Sequence, residues 1–171
     1  MRLEKTRLVF EESKKVVTGN TSESELVASY LVASYLAEYI LIIFYAEMEE
    51  KIDKIIGNFI KKHSNSGISE FLCNLFKNRF KHIDKQKLRE TLKLFGKHKG
   101  NRFDKLVKNS DSADSVFSKY SNFIEARHSI AHSGVSKNIS WNEASEVADI
   151  GEKILEIFED SLNFEPPQAN R

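Results

Sequence analysis

The sequence predicts an all-α fold, a helical bundle, on three observations. Helix breakers are scarce: of 171 residues two are proline, Pro166 and Pro167 near the end, and seven are glycine, while Lys, Glu, Leu and Ala are abundant. Apolar residues recur at helical spacing in one segment after another. Two serines stand three residues before a glutamate, Ser22 before Glu25 and Ser140 before Glu143, the arrangement that opens helices.

Taken in order, residues 2–17 carry Leu3, Leu8, Val9, Val16 and Val17 among charges and predict a weakly amphipathic first helix, ended by Thr18-Gly19-Asn20. Thr21 or Ser22 caps a second helix that runs from about 22 to 63 and is the long hydrophobic element of the bundle. It opens with a tandem copy, Leu26-Val-Ala-Ser-Tyr30 and Leu31-Val-Ala-Ser-Tyr35, too short for a solenoid repeat and expected to fill a core or an interface. Leu41, Tyr45, Met48, Ile52, Ile55, Ile56 and Phe59 continue it as one apolar stripe, with Glu47 and Glu49 toward its edges. A turn at 63–67 precedes a short amphipathic helix with Phe71, Leu72, Leu75, Phe76 and Phe80. Asp84 caps the next, which carries Leu88, Leu92 and Phe95. Gly96-Lys-His-Lys-Gly100 reads as a flexible basic loop and lacks the spacing of a phosphate-binding P-loop. A polar loop at 110–115 leads into a helix over about 113–133, with Phe117, Tyr120, Phe123, Ile124 and Ile130 inward and Gly134 as its C′ residue. The Ser140 capping box opens the last helix, with Val147, Ile150, Ile154, Leu155, Phe158 and Leu162 on one side.

The composition, 40% hydrophobic and 30% charged, is that of a soluble globular chain long enough for one domain but not two. The single cysteine, Cys73, excludes an internal disulfide and a Cys-rich zinc site, and is expected as a buried structural thiol. Met-Arg-Leu-Glu-Lys-Thr lacks the apolar core of a signal peptide, so the expected location is the cytoplasm. Leu26–Ala46 has the length of a membrane span and no Lys or Arg. Glu38 near its middle and the acidic flanks, Glu23 and Glu25 before, Glu47, Glu49 and Glu50 after, argue instead for a buried helix with no membrane partner.

Net charge is +1, yet it is unevenly spread. Lys77 to Lys108 holds 12 Lys or Arg against Asp84, Glu90 and Asp104, a local excess of +9, and the last helix is acidic. Such a segment suits the phosphates of a nucleic acid, with Lys97, Lys99 and Arg102 as the expected RNA contacts; a solvated helix face is the alternative.

The chemistry concentrates in Glu125-Ala-Arg127-His128-Ser-Ile-Ala-His132-Ser-Gly134. An arginine that stays charged and a histidine that titrates near neutrality suit phosphodiester chemistry. Five residues apart, Arg127 and His132 lie about 140° apart around a helix. One helix does not focus both on one phosphate, whereas two copies about a two-fold axis bring two of each to a shared cleft, so a homodimer is expected. Three roles compete with catalysis for these residues: cations closing a helix C-terminus, His128 and His132 as an i, i+4 metal pair with no third ligand in view, and a site that binds RNA or a nucleotide without cutting.

Arg127-His128-x3-His132 resembles the R-x4-H motif of the HEPN superfamily of all-α ribonucleases and nucleotide-binding domains. The helix order over roughly 24–163 resembles its RiboL-PSP or MAE-like branch, and Phe44-Tyr-Ala-Glu47 resembles that branch's glutamate step. The resemblance implies one HEPN-like domain over 1–165 with 166–171 a frayed tail. It implies a metal-independent, cofactor-free endoribonuclease, with Arg127 and His132 catalytic and His128 supporting. Glu47, or Glu49 nearby, would help to hold the arginine. It further implies RNA as substrate, and a toxin or antiviral-defence role with a separate antitoxin or regulatory protein. The alternative is a non-catalytic HEPN module that binds RNA, a nucleotide or a protein. Position 134 is glycine, so the R-x4-H-x-Tyr form, in which the tyrosine is modified, is not expected.

Overall fold

The computed structural model describes residues 2–18, 23–76, 83–108, 111–133 and 139–166, with the side chains of 23–29, 111–114, 132 and 133 outside that description. Among the described residues the chain is all-helical: α1 Glu4–Thr18, α2 Glu23–His63, α3 Ser66–Phe76, α4 Lys85–Leu94, α5 Lys97–Lys108, α6 Asp111–Ser133 and α7 Trp141–Asn163. The expected caps at Thr21 or Ser22, Phe80, Gly134 and the tail beyond Pro166 fall outside the described residues, and the expected polar loop at 110–115 is already helix from Asp111 on.

Contacts divide the chain into two compact units, Arg2–Met48 with Lys119–Glu152, and Glu49–Ser118 with Lys153–Arg171. The first is built on Ala37, Ile40, Leu41, Phe44, Tyr45 and Met48 of α2, Tyr120, Phe123 and Ile124 of α6, and Val147, Ala148 and Ile150 of α7, all buried. Phe44 meets Tyr120 and Phe123 edge-on. Gly151 admits no side chain, because a Cβ there would stand 2.5 Å from Phe44 and 2.6 Å from Leu3.

In this unit α1 keeps only part of its predicted face, with Leu3 buried and Val9 and Val17 half-buried. Leu8 and Val16 point outward while Thr6 and Ser13 are buried, because polar bonds seat the helix. The Leu3 N–H donates to Glu152 at 2.9 Å, the Arg7 guanidinium donates to both Glu152 and Asp149, and Phe10 stacks on Trp141 at 5.0 Å. The Arg7 hydrogen bond foremost, opposed by burial and aided by the Leu3 N–H, holds the Glu152 carboxyl below its ordinary 4.5. A depressed carboxyl stabilises the fold above its ordinary value, and that stability is lost as pH falls through the depressed one. Arg7→Gln is therefore expected to cost about 1 kcal/mol near neutral pH, after discounting for a half-exposed arginine, and less at an acid pH at which the Glu152 carboxyl is protonated. Urea titrations of both proteins at the two pH values check it.

The described side chains of the α2 tandem copy, 30–35, do not fill the core. Tyr30 and Tyr35 are 75% and 68% exposed, and Leu31, Tyr35, Tyr39 and Ile42 make an outward stripe along the helix. Residues from Tyr30 to His63 are long and apolar enough to cross a membrane by length and composition. The opposite face of that helix, Ile40, Leu41, Phe44, Tyr45 and Met48, nevertheless lies in the protein core.

The second unit is built on Ile52, Ile55, Ile56 and Ile60 of α2, Leu88 and Leu92 of α4, Phe103 and Val107 of α5, and Ile154, Leu155, Phe158 and Leu162 of α7. Asp84 caps α4 by accepting from the Lys87 N–H at 2.9 Å. The expected basic loop at 96–100 is instead the first turn of α5. Gly96, at φ 142°, makes the tight turn out of α4, a backbone state that glycine adopts without strain. Gly100 lets the two helices approach: a Cβ there would stand 2.5 Å from the Lys93 side chain. Arg89 of α4 donates to both oxygens of Asp104 on α5 at 2.8 Å. At the start of α7 the Ser140 box forms in full, with Ser140 N and Oγ donating to Glu143 and the Glu143 N–H donating to Ser140 Oγ.

Candidate functional site

Two helices of the first unit make the site, α2 through its Phe44-Tyr-Ala-Glu step and α6 through Arg127 and His128. Tyr45 is 2% exposed, and its ring organises both α6 residues. The Arg127 guanidinium carbon lies 4.1 Å from the ring centroid, and the His128 ring meets Tyr45 edge-on at 5.9 Å. A guanidinium over a tyrosine face gains about 1–2 kcal/mol in a partly desolvated setting and does not spend its N–H donors on the ring. Arg127 is half-buried and has no carboxylate partner among the described residues. Among the described residues its guanidinium is thus positioned by the ring rather than by an acid.

His132 lies on α6, which stays helical through Ser133; its side chain lies outside the described residues. The helical backbone puts positions 127 and 132 about 140° apart around the axis and about 7.5 Å apart along it. Arg127 and His128 are therefore brought together with Tyr45, while His132 sits one turn on, at another azimuth.

Glu47 is also buried, at 2% exposure, but its bonds go elsewhere. Its carboxylate accepts from the Thr6 N–H and Thr6 Oγ1, both at 2.8 Å, and from the Lys5 N–H at 3.1 Å. It caps the N-terminus of α1, where a negative charge meets the positive helix end, and Tyr45 holds Arg127 in its stead. Glu49 is half-buried. The sequence signal for Tyr45 was present in the glutamate step itself, yet a tyrosine inside an apolar stripe reads as packing.

The expected RNA contacts separate in the structure. Lys97 is exposed, Arg102 half-buried, and Lys99 is 2% exposed. All three N–H bonds of Lys99 are taken, by the carbonyls of Leu162 and Phe164 and the carboxylate of Glu165. Lys99 thus closes the α7 C-terminus and, as found, offers no donor to RNA. Nor is the +9 segment a bare basic face, since Arg89 is paired with Asp104 and Lys85 lies over Phe117.

A cleft of about 350 Å³ lies between α2 and α3, lined by Asp53, Gly57, Cys73 and Phe76 among others. Burial raises the Asp53 carboxyl there. Cys73 is half-buried rather than enclosed. Neither Arg127 nor His128 lines it. Among the described residues no group of three or more His, Cys, Asp or Glu is placed to hold a metal.

Comparison with protein families matches the chain to RiboL-PSP-HEPN over residues 5–163, a range that takes in α1 as well as the core from about residue 24. No curated protein and no solved structure gives a significant match. An all-helical fold with Arg127 and His132 on one helix, matched over nearly its whole length, makes this chain a member of the RiboL-PSP-HEPN family.

Proposed function

We propose that this protein is a metal-independent endoribonuclease of HEPN type, acting at a composite site to which two copies each bring Arg127 and His132. One imidazole takes the proton from the ribose 2′-OH, and the oxygen attacks the adjacent phosphorus. The 5′-oxygen leaves with a proton from the other imidazole, now acting as acid. The products are a 2′,3′-cyclic phosphate and a 5′-hydroxyl. The Arg127 fork binds the non-bridging oxygens and stabilises their growing charge. No step calls for a metal or cofactor.

The observation that carries this reading is the Arg127 guanidinium, over the Tyr45 ring with no carboxylate to neutralise it among the described residues, on the helix that bears His132. The 140° offset between the two positions is what a second copy resolves. The exposed Leu31–Tyr35–Tyr39–Ile42 stripe of α2 offers that copy an apolar seat on the same helix as Tyr45. Family membership supports RNA as the substrate in the cytoplasm, and a toxin or defence role held in check by a separate antitoxin or regulatory protein.

Incubation of structured RNA in EDTA tests it. The native chain is expected to cleave, His132→Ala is not, and a 2′-deoxy substitution at the cut resists. Binding without cleavage by the native chain overturns the enzyme and leaves a HEPN module that recognises RNA, a nucleotide or a protein partner.

A further inference from the structure

Lys99 is spent on the end of α7, yet the charge gathered around it does not balance. Its ammonium, over the Phe59 ring at 5.0 Å, donates to Glu165 at 2.8 Å. The other Glu165 oxygen lies 3.9 Å from His98 Nε2. Arg102 covers Phe164, the preceding residue, at 5.3 Å, and His98 flanks the same ring at 6.3 Å. The Lys99 hydrogen bond foremost, joined by the fields of Lys99, His98 and His63, holds the Glu165 carboxyl below its ordinary range.

Lys99 and His98 thus face one carboxylate while Arg102 lies over the adjoining Phe164 ring, and the Glu165 side chain is 65% exposed while the Lys99 side chain is 3% exposed. Two nitrogens of the cluster, His98 Nε2 and Arg102 Nε, are buried with no hydrogen-bond partner. Buried polar atoms are nearly always paired, so two orphans in one cluster ask for a ligand. A second negative charge and a third acceptor oxygen are what a carboxylate lacks and a phosphate monoester has.

We propose that Lys99, His98 and Arg102 form a binding site for a phosphate monoester dianion, closed by the chain's own Glu165, which the phosphate displaces. Lys99 keeps its bonds to the carbonyls of Leu162 and Phe164 and turns its third N–H from the carboxylate to a phosphate oxygen. Entry is from the exposed side on which Glu165 sits. The site lies within the Glu49–Ser118 and Lys153–Arg171 unit and does not rest on the Arg127 chemistry.

Titration of the full chain with inorganic phosphate at constant ionic strength, read by calorimetry and by the His98 ring resonances, tests it. Glu165→Gln is expected to bind phosphate at least about tenfold tighter than the native chain, through loss of the competing carboxylate. Adding Arg102→Gln is expected to abolish the gain. An oligoribonucleotide with a 5′-phosphate that binds more tightly than its 5′-hydroxyl form identifies a nucleic-acid end as the source of the monoester. Equal binding of the two, weaker than inorganic phosphate, identifies a small phosphorylated molecule. No gain in Glu165→Gln, a gain that survives Arg102→Gln, or binding that leaves the His98 resonances unmoved overturns the site.

Discussion

Arg127→Ala is expected to slow RNA cleavage by about 10³-fold, the cost of removing a fixed donor from a developing oxyanion. Arg127→Lys is expected to recover little of it, because an ammonium supplies charge without the planar fork. Folding should lose no more than the ring contact by either change, since the guanidinium rests on Tyr45 and is tied to no carboxylate among the described residues. Urea unfolding of Arg127→Ala is therefore expected within about 2 kcal/mol of the native chain, the worth of the ring contact. Tyr45 enters as a positioning residue. Tyr45→Leu removes the face that orients the fork and is expected to lower kcat about tenfold with a smaller change in KM, as follows from a cation–π contact of about 1–2 kcal/mol. Tyr45→Phe keeps the face and is expected to restore most of kcat. Native rates in Arg127→Ala overturn the catalytic role of the arginine, and a Tyr45→Phe as slow as Tyr45→Leu overturns the role of the ring.

Most of this architecture is legible from periodicity and caps. Asp84 and Ser140 mark their helices because a side-chain oxygen that accepts from the first turn is a local event, written in four residues. The α7 stripe is equally plain: Val147, Ile150, Ile154, Leu155, Phe158 and Leu162 are all buried. Three features escape because they are non-local. Gly96 and Gly100 look like a loop, and only the approach of Lys93 explains why Gly100 stands inside a helix. Lys99 looks like one more basic surface residue until the end of α7, more than sixty positions on, supplies two carbonyls and a carboxylate. On α1 two polar residues, Thr6 and Ser13, are buried, and Thr6 meets the Glu47 carboxylate of α2, a pairing that no hydrophobic period reveals. Arg127, His128 and the glutamate step were visible in the sequence. That Tyr45 rather than Glu47 holds the arginine was not.

Glu47→Ala is expected to destabilise the protein by about 3 kcal/mol, the largest loss of stability anticipated from a single polar side chain here. The carboxylate is buried and accepts three hydrogen bonds from the first turn of α1, two from Thr6 and one from Lys5. Removing it orphans two backbone N–H groups and a buried hydroxyl, and withdraws a negative charge from a helix N-terminus. Glu47→Gln keeps one acceptor oxygen but not the charge, so about half that cost is expected. Thr6→Val deletes only the hydroxyl bond and is expected to cost about 1 kcal/mol. Because Glu47→Ala already breaks that bond, the double variant should fall short of the sum of the single losses by about the same amount. These values, read from urea unfolding, separate two uses of one carboxylate. A residue that seats α1 shows coupling to Thr6 and a stability loss that precedes any change in rate. A residue that served Arg127 instead would leave α1 untouched, couple to Arg127→Ala in kcat and show additivity with Thr6→Val. Additivity with Thr6→Val, together with a stability loss below about 1 kcal/mol, removes Glu47 from the anchoring of α1.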